Sequence, residues 1–434
     1  MARRATRVRG AITAFFRICL RVFFRRIELV GLERIPQTGA VIFAVNHPNG
    51  LVDPLFLLCF APRPVSFLAK APLFRMFFIG AIVRAFEAIP VYRKQDNTGG
   101  SNRETFAAAR GVLGRGGSIA IFPEGTTHDD PSLRELKTGA ARIALGATLD
   151  EMTVIPTGIY YTAKHVFRSS ALVVFGEPLR VETVDVDAEG EPAHEEVERL
   201  TNAIDAGLDA VTLQADSHAA LTLIAKAEDI FTADDDQPLV EEFDLRRRFI
   251  AGYHFLHEHD PARLHRLETS IARFERALQR ARLDVHELKP HIDVLRVLRA
   301  IVLLPLAIVG ALVNYPAYRL VGALARRYSK GEGAMVATVK FVAALLLYPL
   351  TYLAIAILVA MRFGVLGALI AIVALPFVSY LALFVFEELD DLAGDLRAIG
   401  HRVVRRSGHE RLLLLRRHIL EEMAEIAREM EGAT

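Results

Sequence analysis

The sequence predicts an α/β domain built on a mostly parallel sheet flanked by helices, followed by a helical region and C-terminal transmembrane helices. Three observations carry this reading. Between Ile27 and Leu179, short β-branched runs alternate with helical stretches, the pattern of parallel strands joined by crossover helices. Apolar runs free of charge, each long enough to cross a hydrocarbon core of about 20 helical residues, are concentrated after Ala300. A chain of 434 residues also exceeds one ordinary domain, so two or three units are expected.

The elements follow in chain order. Residues 1–26 contain Arg3, Arg4, Arg7, Arg9, Arg17, Arg21, Arg25 and Arg26 and no acidic residue. Phe15, Ile18, Cys19 and Val22 fall at helical spacing, while Arg17, Arg21 and Arg25 recur every four residues on another stripe. This predicts a basic amphipathic helix lying at an anionic membrane surface, the alternative being a basic helix packed on the following domain. Arg17 and Arg21 interrupt the only apolar stretch that could serve as a secretory signal.

Residues 27–245 read as the α/β domain. Its strands are expected at Val41 to Val45, Val65 to Leu68, Ser118 to Phe122, Val154 to Tyr160 and Leu172 to Phe175, and its helices at Pro54 to Phe60, Leu73 to Ala85, Arg103 to Leu113 and Lys137 to Leu145. After Pro178 an acidic, helix-rich stretch begins, with Asp234, Asp235 and Asp236 marking a turn or exposed loop. Residues 246–298 form a helical segment whose Leu264 to Leu288 portion, dense in Arg, Glu and Leu, suits a solvated packing helix or short coiled pair.

Residues 299–387 read as the membrane region. Ala300 to Tyr318 lacks charge but contains Pro305, Asn314 and Pro316. Arg296 and Arg299 precede it, and Arg319, Arg326, Arg327 and Lys330 follow. Positive charge on both flanks favours a re-entrant or interfacial stretch over a simple crossing. Phe341 to Met361 and Phe363 to Phe386, separated by Arg362, predict a helical hairpin. Residues 388–434 return as a charged tail in which Arg411 to Met430 forms an amphipathic helix.

Composition narrows the function classes. The balance of 52 Lys+Arg against 51 Asp+Glu, a net charge of +1, argues against a nucleic-acid partner. A hydrophobic fraction of 52% and a mean hydropathy of +0.29 point instead to a lipid membrane. Cys19 and Cys59 are too few for a disulfide framework and fit a reducing, cytosolic face. The sequence has no phosphate-loop pattern, no dinucleotide fingerprint and no Gly-x-Ser-x-Gly elbow. His254, His257, His259, Asp260 and His265 match no closed zinc spacing, so no metal is expected.

The residues that carry chemistry lie at strand ends. His47 and Asp53, in Asn46-His47-Pro48-Asn49-Gly50-Leu51-Val52-Asp53-Pro54, follow the apolar run Val41 to Val45. An ionised Asp beside an imidazole orients it and stabilises the imidazolium formed on proton abstraction, which makes His47 a candidate general base. Asp53 before Pro54 also suits a plain helix N-cap. A second segment, Ile121-Phe122-Pro123-Glu124-Gly125-Thr126-Thr127, follows another short strand. Ligands of parallel sheets bind outside the carboxyl ends of the strands, where both segments sit.

These segments resemble the glycerol-3-phosphate and lysophospholipid acyltransferase superfamily. Its hallmarks are a His and Asp with four residues between them, an arginine-bearing segment, Phe-Pro-Glu-Gly, and a Val/Ile-Pro segment. The counterparts are His47 with Asp53, Ile89-Pro90-Val91-Tyr92-Arg93, Phe122-Pro123-Glu124-Gly125 and Val154-Ile155-Pro156, within roughly Glu28 to Arg180. One departure is that five residues, not four, separate His47 from Asp53. On a continuous helix the extra residue would rotate Asp53 by about 100°, so the turn-forming Pro48-Asn49-Gly50 is expected to absorb it. A five-residue spacer is similar to that of fungal acyltransferases using glycerol-3-phosphate or dihydroxyacetone phosphate.

The resemblance implies direct acyl transfer from acyl-CoA or acyl carrier protein, with the thioester as co-substrate and no further cofactor. The implied acceptor is glycerol-3-phosphate, with lysophosphatidate the alternative, on the cytoplasmic face of a membrane. His47 and Asp53 would be catalytic. Arg93 would pair with the acceptor phosphate, Gly125 and Thr126 would supply further donors, Lys137 would add positive potential, and Glu124 would bond an acceptor hydroxyl or orient Arg93. The contrasting reading is a membrane scaffold or lipid transporter that keeps the fold without turnover; scarce intramembrane charge weakens the transporter version.

Overall fold

A computed structural model of the chain describes residues 2–75, 77–92, 102–233, 238–288, 293–329, 333–404 and 406–433. Arg93, Asp234, Asp235, Asp236 and Lys330 lie outside the described residues. The chain divides into two compact units, Met1–Gln214 with Tyr328–Phe341, and Ala215–Arg327 with Val342–Thr434.

The first unit is built on an eight-stranded sheet. Its strands are β1 (Arg26–Val30), β2 (Ala40–Val45), β3 (Val65–Lys70), β4 (Ile89–Val91), β5 (Ser118–Ile121), β6 (Met152–Tyr161), β7 (Ser170–Phe175) and β8 (Leu179–Arg180). They run in the order β1-β7-β6-β2-β5-β3-β4, with β8 beside β6. From β4 to β6 every pairing is parallel, while β7 and β8 pair antiparallel to β6. The carboxyl ends of β2, β3, β4, β5 and β6 therefore share one edge.

β2 is buried throughout because both faces of the sheet are covered, which is why it reads as an uninterrupted apolar run. Alternation sends Ile42 and Ala44 to a core shared with α4 (Asn102–Leu113), α5 (Gly139–Leu145) and α6 (His194–Val211). Phe43 faces the other way, against Phe175. The helix α1 (Ala2–Phe23) packs on both α2 (Val52–Phe60) and α3 (Phe77–Ala85). β1, β4 and β8 are strands that the alternation pattern did not predict. β1 is a half-buried edge strand carrying Arg26 and Glu28, and β4 has only three residues, one of them Pro90.

α1 shows the packed arrangement directly. Phe16, Leu20 and Phe23 are buried, Arg9 donates to the Val65 carbonyl at 2.7 Å, and Arg17 donates to the Cys59 carbonyl at 3.0 Å. Phe15 and Ile18, members of the apolar stripe read from the sequence, face outward at 52% and 64% exposure.

The second unit holds α7 (His218–Thr232), α8 (Leu239–His259), α9 (Pro261–Ala281), α10 (Val294–Tyr328), most of α11 (Gly333–Val404) and α12 (Arg406–Ala433). α7, α9 and α12 share a core around Ile230, Ile271, Phe274 and Ile419. The α/β domain expected to run to residue 245 thus meets the unit boundary earlier, since α7 turns Ala227 and Ile230 into this helical core. Arg263 of α9 pairs with Glu422, Glu425 and Glu429 of α12. His254 pairs with Asp216, His265 with Glu268, and the His257 and His259 rings stack on Tyr253 and Phe255. Among the described residues no group of three or more His, Cys, Asp or Glu is placed to hold a metal ion.

Two helices are long and apolar enough to cross a membrane: Val294–Tyr328 and the α11 portion Met335–Val404. Only 17% and 11% of their most apolar stretches are buried, unlike the core helix of a soluble protein. The stretch Ala300 to Tyr318, expected to be re-entrant or interfacial with a broken backbone, is unbroken: it lies in α10, one continuous helix with Pro305 and Pro316 inside it. A proline removes one backbone donor, a loss that neighbouring helices and local adjustment absorb in apolar surroundings. Asn314 Nδ2 donates to the Gly310 carbonyl at 2.7 Å and to Ser379 Oγ at 2.6 Å. α11 breaks at Gly364, φ 75° and ψ −178°, two residues beyond Arg362. The Tyr352 side chain lies close to that of Ser379. Those residues would be about 40 Å apart on a straight helix, so the run folds back on itself as a hairpin.

Candidate active site

β2 ends at Val45, and Asn46 fastens the departing chain to β6. Its Nδ2 donates to the Ile159 carbonyl at 3.1 Å and its Oδ1 accepts from Ile159 N at 2.7 Å, replacing the ladder bonds that stop there. The chain then turns through Pro48-Asn49-Gly50, with Gly50 at φ 21°, and α2 starts at Val52. Val52 N and Asp53 N both donate to the Asn49 carbonyl, at 3.0 and 3.2 Å. The turn absorbs the five-residue spacer and brings the two side chains together.

His47 Nδ1 lies 2.9 Å from Asp53 Oδ2, which also accepts from Asn49 N at 2.7 Å. Asp53 Oδ1 accepts from the Tyr161 hydroxyl at 2.6 Å. The carboxylate is therefore not spent as a helix cap, and α2 has no side-chain cap bond. A carboxylate accepts only, so Nδ1 carries the hydrogen and Nε2 carries the lone pair. Among the described residues nothing bonds to Nε2. The His47 side chain keeps 16% exposure while that of Asp53 keeps none, and the imidazole stacks on Phe122 with centroids 4.1 Å apart. The buried anion faces inward and the basic nitrogen faces the accessible side.

Tyr161 was not anticipated from the sequence. It ends β6, adjacent to β2 in the sheet, and stacks on Phe24 at 5.5 Å. Burial, reinforced by the Asp53 charge, pushes its phenol well above the ordinary range, so it remains a protonated donor. The available signal was period-two alternation, which places Tyr161 and Ile159 on the same side of β6. Tyr161→Phe is expected to strand Asp53 Oδ1, costing about 2 kcal/mol of stability. It should lower kcat about ten-fold with little change in KM, as thermal unfolding and steady-state rates would reveal.

Glu124 joins the same network from the end of β5. Its Oε1 accepts from His47 N at 2.9 Å, and its Oε2 accepts from Arg134 N at 3.2 Å and pairs with His128 Nε2. Its carboxylate thus has partners inside the protein and fixes the His47 backbone. Gly125 sits at φ 72°, where a Cβ would collide with the Lys137 side chain lying across it. Lys137 N donates to the Pro123 carbonyl at 2.9 Å, and its side chain is exposed. Thr126 is exposed beside them, with Oγ1 3.4 Å from the Thr127 carbonyl. The fold therefore unites His47, Asp53 and Glu124 in one hydrogen-bonded network and gathers Gly125, Thr126 and Lys137 on the adjoining turn.

Arg93 lies outside the described residues, two positions beyond the end of β4. Lys70 pairs with Val91 in register, which places it at that same edge as a cation the motif reading did not include. Lys164 pairs with Asp129 and donates to the Pro48 carbonyl at 3.2 Å. A freed imidazole base beside cationic side chains suits deprotonation of a hydroxyl on an anionic molecule.

Comparisons with known proteins bear on the same residues. Residues 26–160, from β1 into β6, match the family model described as Acyltransferase. The chain is 29% identical over 366 residues to an uncharacterized acyltransferase of Schizosaccharomyces pombe, covering 63% of this chain and 54% of that protein. It is 32% identical over 191 residues to glycerol-3-phosphate O-acyltransferase 2 of Saccharomyces cerevisiae, covering 43% and 25%. It is 31% identical over 153 residues to a 1-acyl-sn-glycerol-3-phosphate acyltransferase of Borreliella burgdorferi, covering 34% and 58%. The crystal structure of the 1-acyl-sn-glycerophosphate acyltransferase of Thermotoga maritima aligns with a TM-score of 0.36 at 21% identity, over 48% of this chain and 80% of that one. The chain spans about half or less of the length of the fungal relatives. The matched interval contains the His47–Asp53 pair and Glu124, so the residues of this hydrogen-bonded network lie within the stretch that is similar to the Acyltransferase family.

Proposed function

We propose that the protein is a membrane-bound O-acyltransferase that moves a fatty acyl group from acyl-CoA or acyl carrier protein to glycerol-3-phosphate. The observation that carries this reading is the buried Asp53 carboxylate holding His47 by Nδ1 at the carboxyl edge of the sheet, with no bond to Nε2 among the described residues. Nε2 takes the proton of the acceptor hydroxyl as its oxygen attacks the thioester carbonyl. The tetrahedral species then expels the thiolate, which recovers that proton from the imidazolium. Asp53 keeps the tautomer and stabilises the imidazolium between the two steps. No covalent acyl-enzyme is needed, and the thioester is a co-substrate rather than a resident cofactor.

Arg93 is assigned to the acceptor phosphate, with Gly125, Thr126 and Lys137 supplying further donors and positive potential. Arg93→Ala is expected to raise the acceptor KM about ten-fold or more while leaving kcat within a few-fold, the signature of lost uniform binding. An unchanged KM would remove Arg93 from the phosphate site. The two long apolar helices support anchorage in the bilayer, and a cytoplasmic placement of the α/β domain is part of the same proposal. Such an address suits a reaction whose acyl product partitions into lipid while its polar substrates arrive from water.

A second reading, with lysophosphatidate as acceptor, is favoured by the similarity to the Borreliella burgdorferi protein. Membranes holding the protein, supplied with labelled acyl-CoA and either glycerol-3-phosphate or lysophosphatidate, separate the two. Label in lysophosphatidate from the first acceptor supports the preferred reading, and label only in phosphatidate from the second acceptor overturns it.

A further inference from the structure

The turn carrying His47 and Asp53 is touched by a segment nearly three hundred residues downstream, the first turns of α11. Leu51 N, in the turn just before α2, donates to Thr338 Oγ1 at 3.1 Å. That amide belongs to the start of α2, where backbone donors have no partner within their own helix. Gly333 lies against Asp129: a Cβ there would come within 2.6 Å of Asp129 Oδ2. Asp129 pairs with Lys164, and Lys164 donates to the Pro48 carbonyl. The segment therefore reaches the turn twice, directly at Leu51 and through Asp129 and Lys164 at Pro48. These two points bracket Asn49, whose N–H holds Asp53 Oδ2.

The segment is itself anchored. Ala337 is fully buried, Phe341 keeps 2% exposure and meets Phe23 edge-on at 5.6 Å, and Lys340 donates to the His165 carbonyl. It belongs to the same compact unit as the sheet, although covalently it joins α10 to the apolar run that starts at Val342. One exposed hydrogen bond is readily replaced by water and adds little stability. A bond made from a buried anchor to a turn rich in Pro, Asn and Gly restricts where that turn sits.

We infer that Gly333–Phe341 braces the active-site turn, and that Thr338 is a positioning residue for His47 and Asp53. The inference rests on the acyltransferase reading for its consequence in turnover, but its geometric part stands without it. The test uses the full chain in lipid vesicles, comparing wild type with Thr338→Val, which keeps the shape and removes the acceptor, and Thr338→Ser, which restores the hydroxyl. Thr338→Val should lower kcat about five-fold, the effect of one modest hydrogen bond, with both KM values unchanged. Deuterium uptake at the Leu51 amide should rise by about the same factor, and Thr338→Ser should return both quantities to wild-type values. Wild-type kcat in Thr338→Val, or a loss that Thr338→Ser does not restore, overturns the positioning role. Unchanged uptake at Leu51 overturns the brace itself. Should wild type transfer no acyl group to any acceptor, the functional reading fails, and uptake at Leu51 still decides whether the brace exists.

Discussion

His47→Ala is expected to lower kcat by about 10³-fold, within the range that a positioned general base contributes to proton transfer, while leaving the protein folded and its KM values near wild type. The fold should survive because Asp53 loses one of its three bonds and retains the Tyr161 hydroxyl and the Asn49 amide. The lost bond to a charged acceptor is worth about 2 kcal/mol. The imidazole lies over Phe122 at 16% side-chain exposure, so its removal opens the surface side of the site and leaves the core beneath the sheet intact. Steady-state rates on equal amounts of reconstituted protein, with a thermal unfolding curve for each, would separate lost chemistry from lost structure. A fall in kcat within ten-fold would assign the proton to another group.

Asp53→Asn is expected to cost about 10³-fold in kcat by a different route. Three donors converge on the two Asp53 oxygens, and a carboxamide keeps only one acceptor oxygen. The workable arrangement leaves that oxygen facing Asn49 N and His47 Nδ1 and turns the amide nitrogen toward Tyr161, whose hydroxyl rotates to accept. The hydrogen bonds then close without the negative charge, so the imidazolium formed during proton transfer loses its counter-ion. Asp53→Ala would instead strand all three donors, and its loss of activity would mix chemistry with unfolding. For that reason Asp53→Asn with wild-type thermal stability and retained kcat would exclude the carboxylate from catalysis.

The strands that position the site were legible because their burial is written in composition. β2 and β5 are short apolar runs followed by turn-forming residues, and the two motif segments follow them directly. The extra residue between His47 and Asp53 pointed to a turn, and Pro48-Asn49-Gly50 is that turn. β1 and β4 were not legible, since an edge strand bearing Arg26 and Glu28 and a three-residue strand containing Pro90 lack the pattern of a buried strand. Tyr161 and Asp53 are separated by 108 positions, and only the adjacency of β6 to β2 brings them together. The contact of Thr338 with Leu51 spans 287 positions, and no local rule encodes it. Glu124 was recognised as a site residue, but its role changes: its oxygens hold the His47 backbone, Arg134 N and His128. The prolines of α10 suggested a broken segment because local rules score a proline as a helix stop, whereas an apolar helix packed on neighbours tolerates it.

Under the proposed function, an imidazole held by a buried carboxylate takes the proton of a glycerol-phosphate hydroxyl. The most direct measurement is incorporation of label from acyl-CoA into glycerol-3-phosphate by vesicles containing matched amounts of wild type or His47→Ala. Wild type is expected to yield labelled lysophosphatidate and the variant about 10³-fold less; equal incorporation by the two proteins would remove His47 as the base.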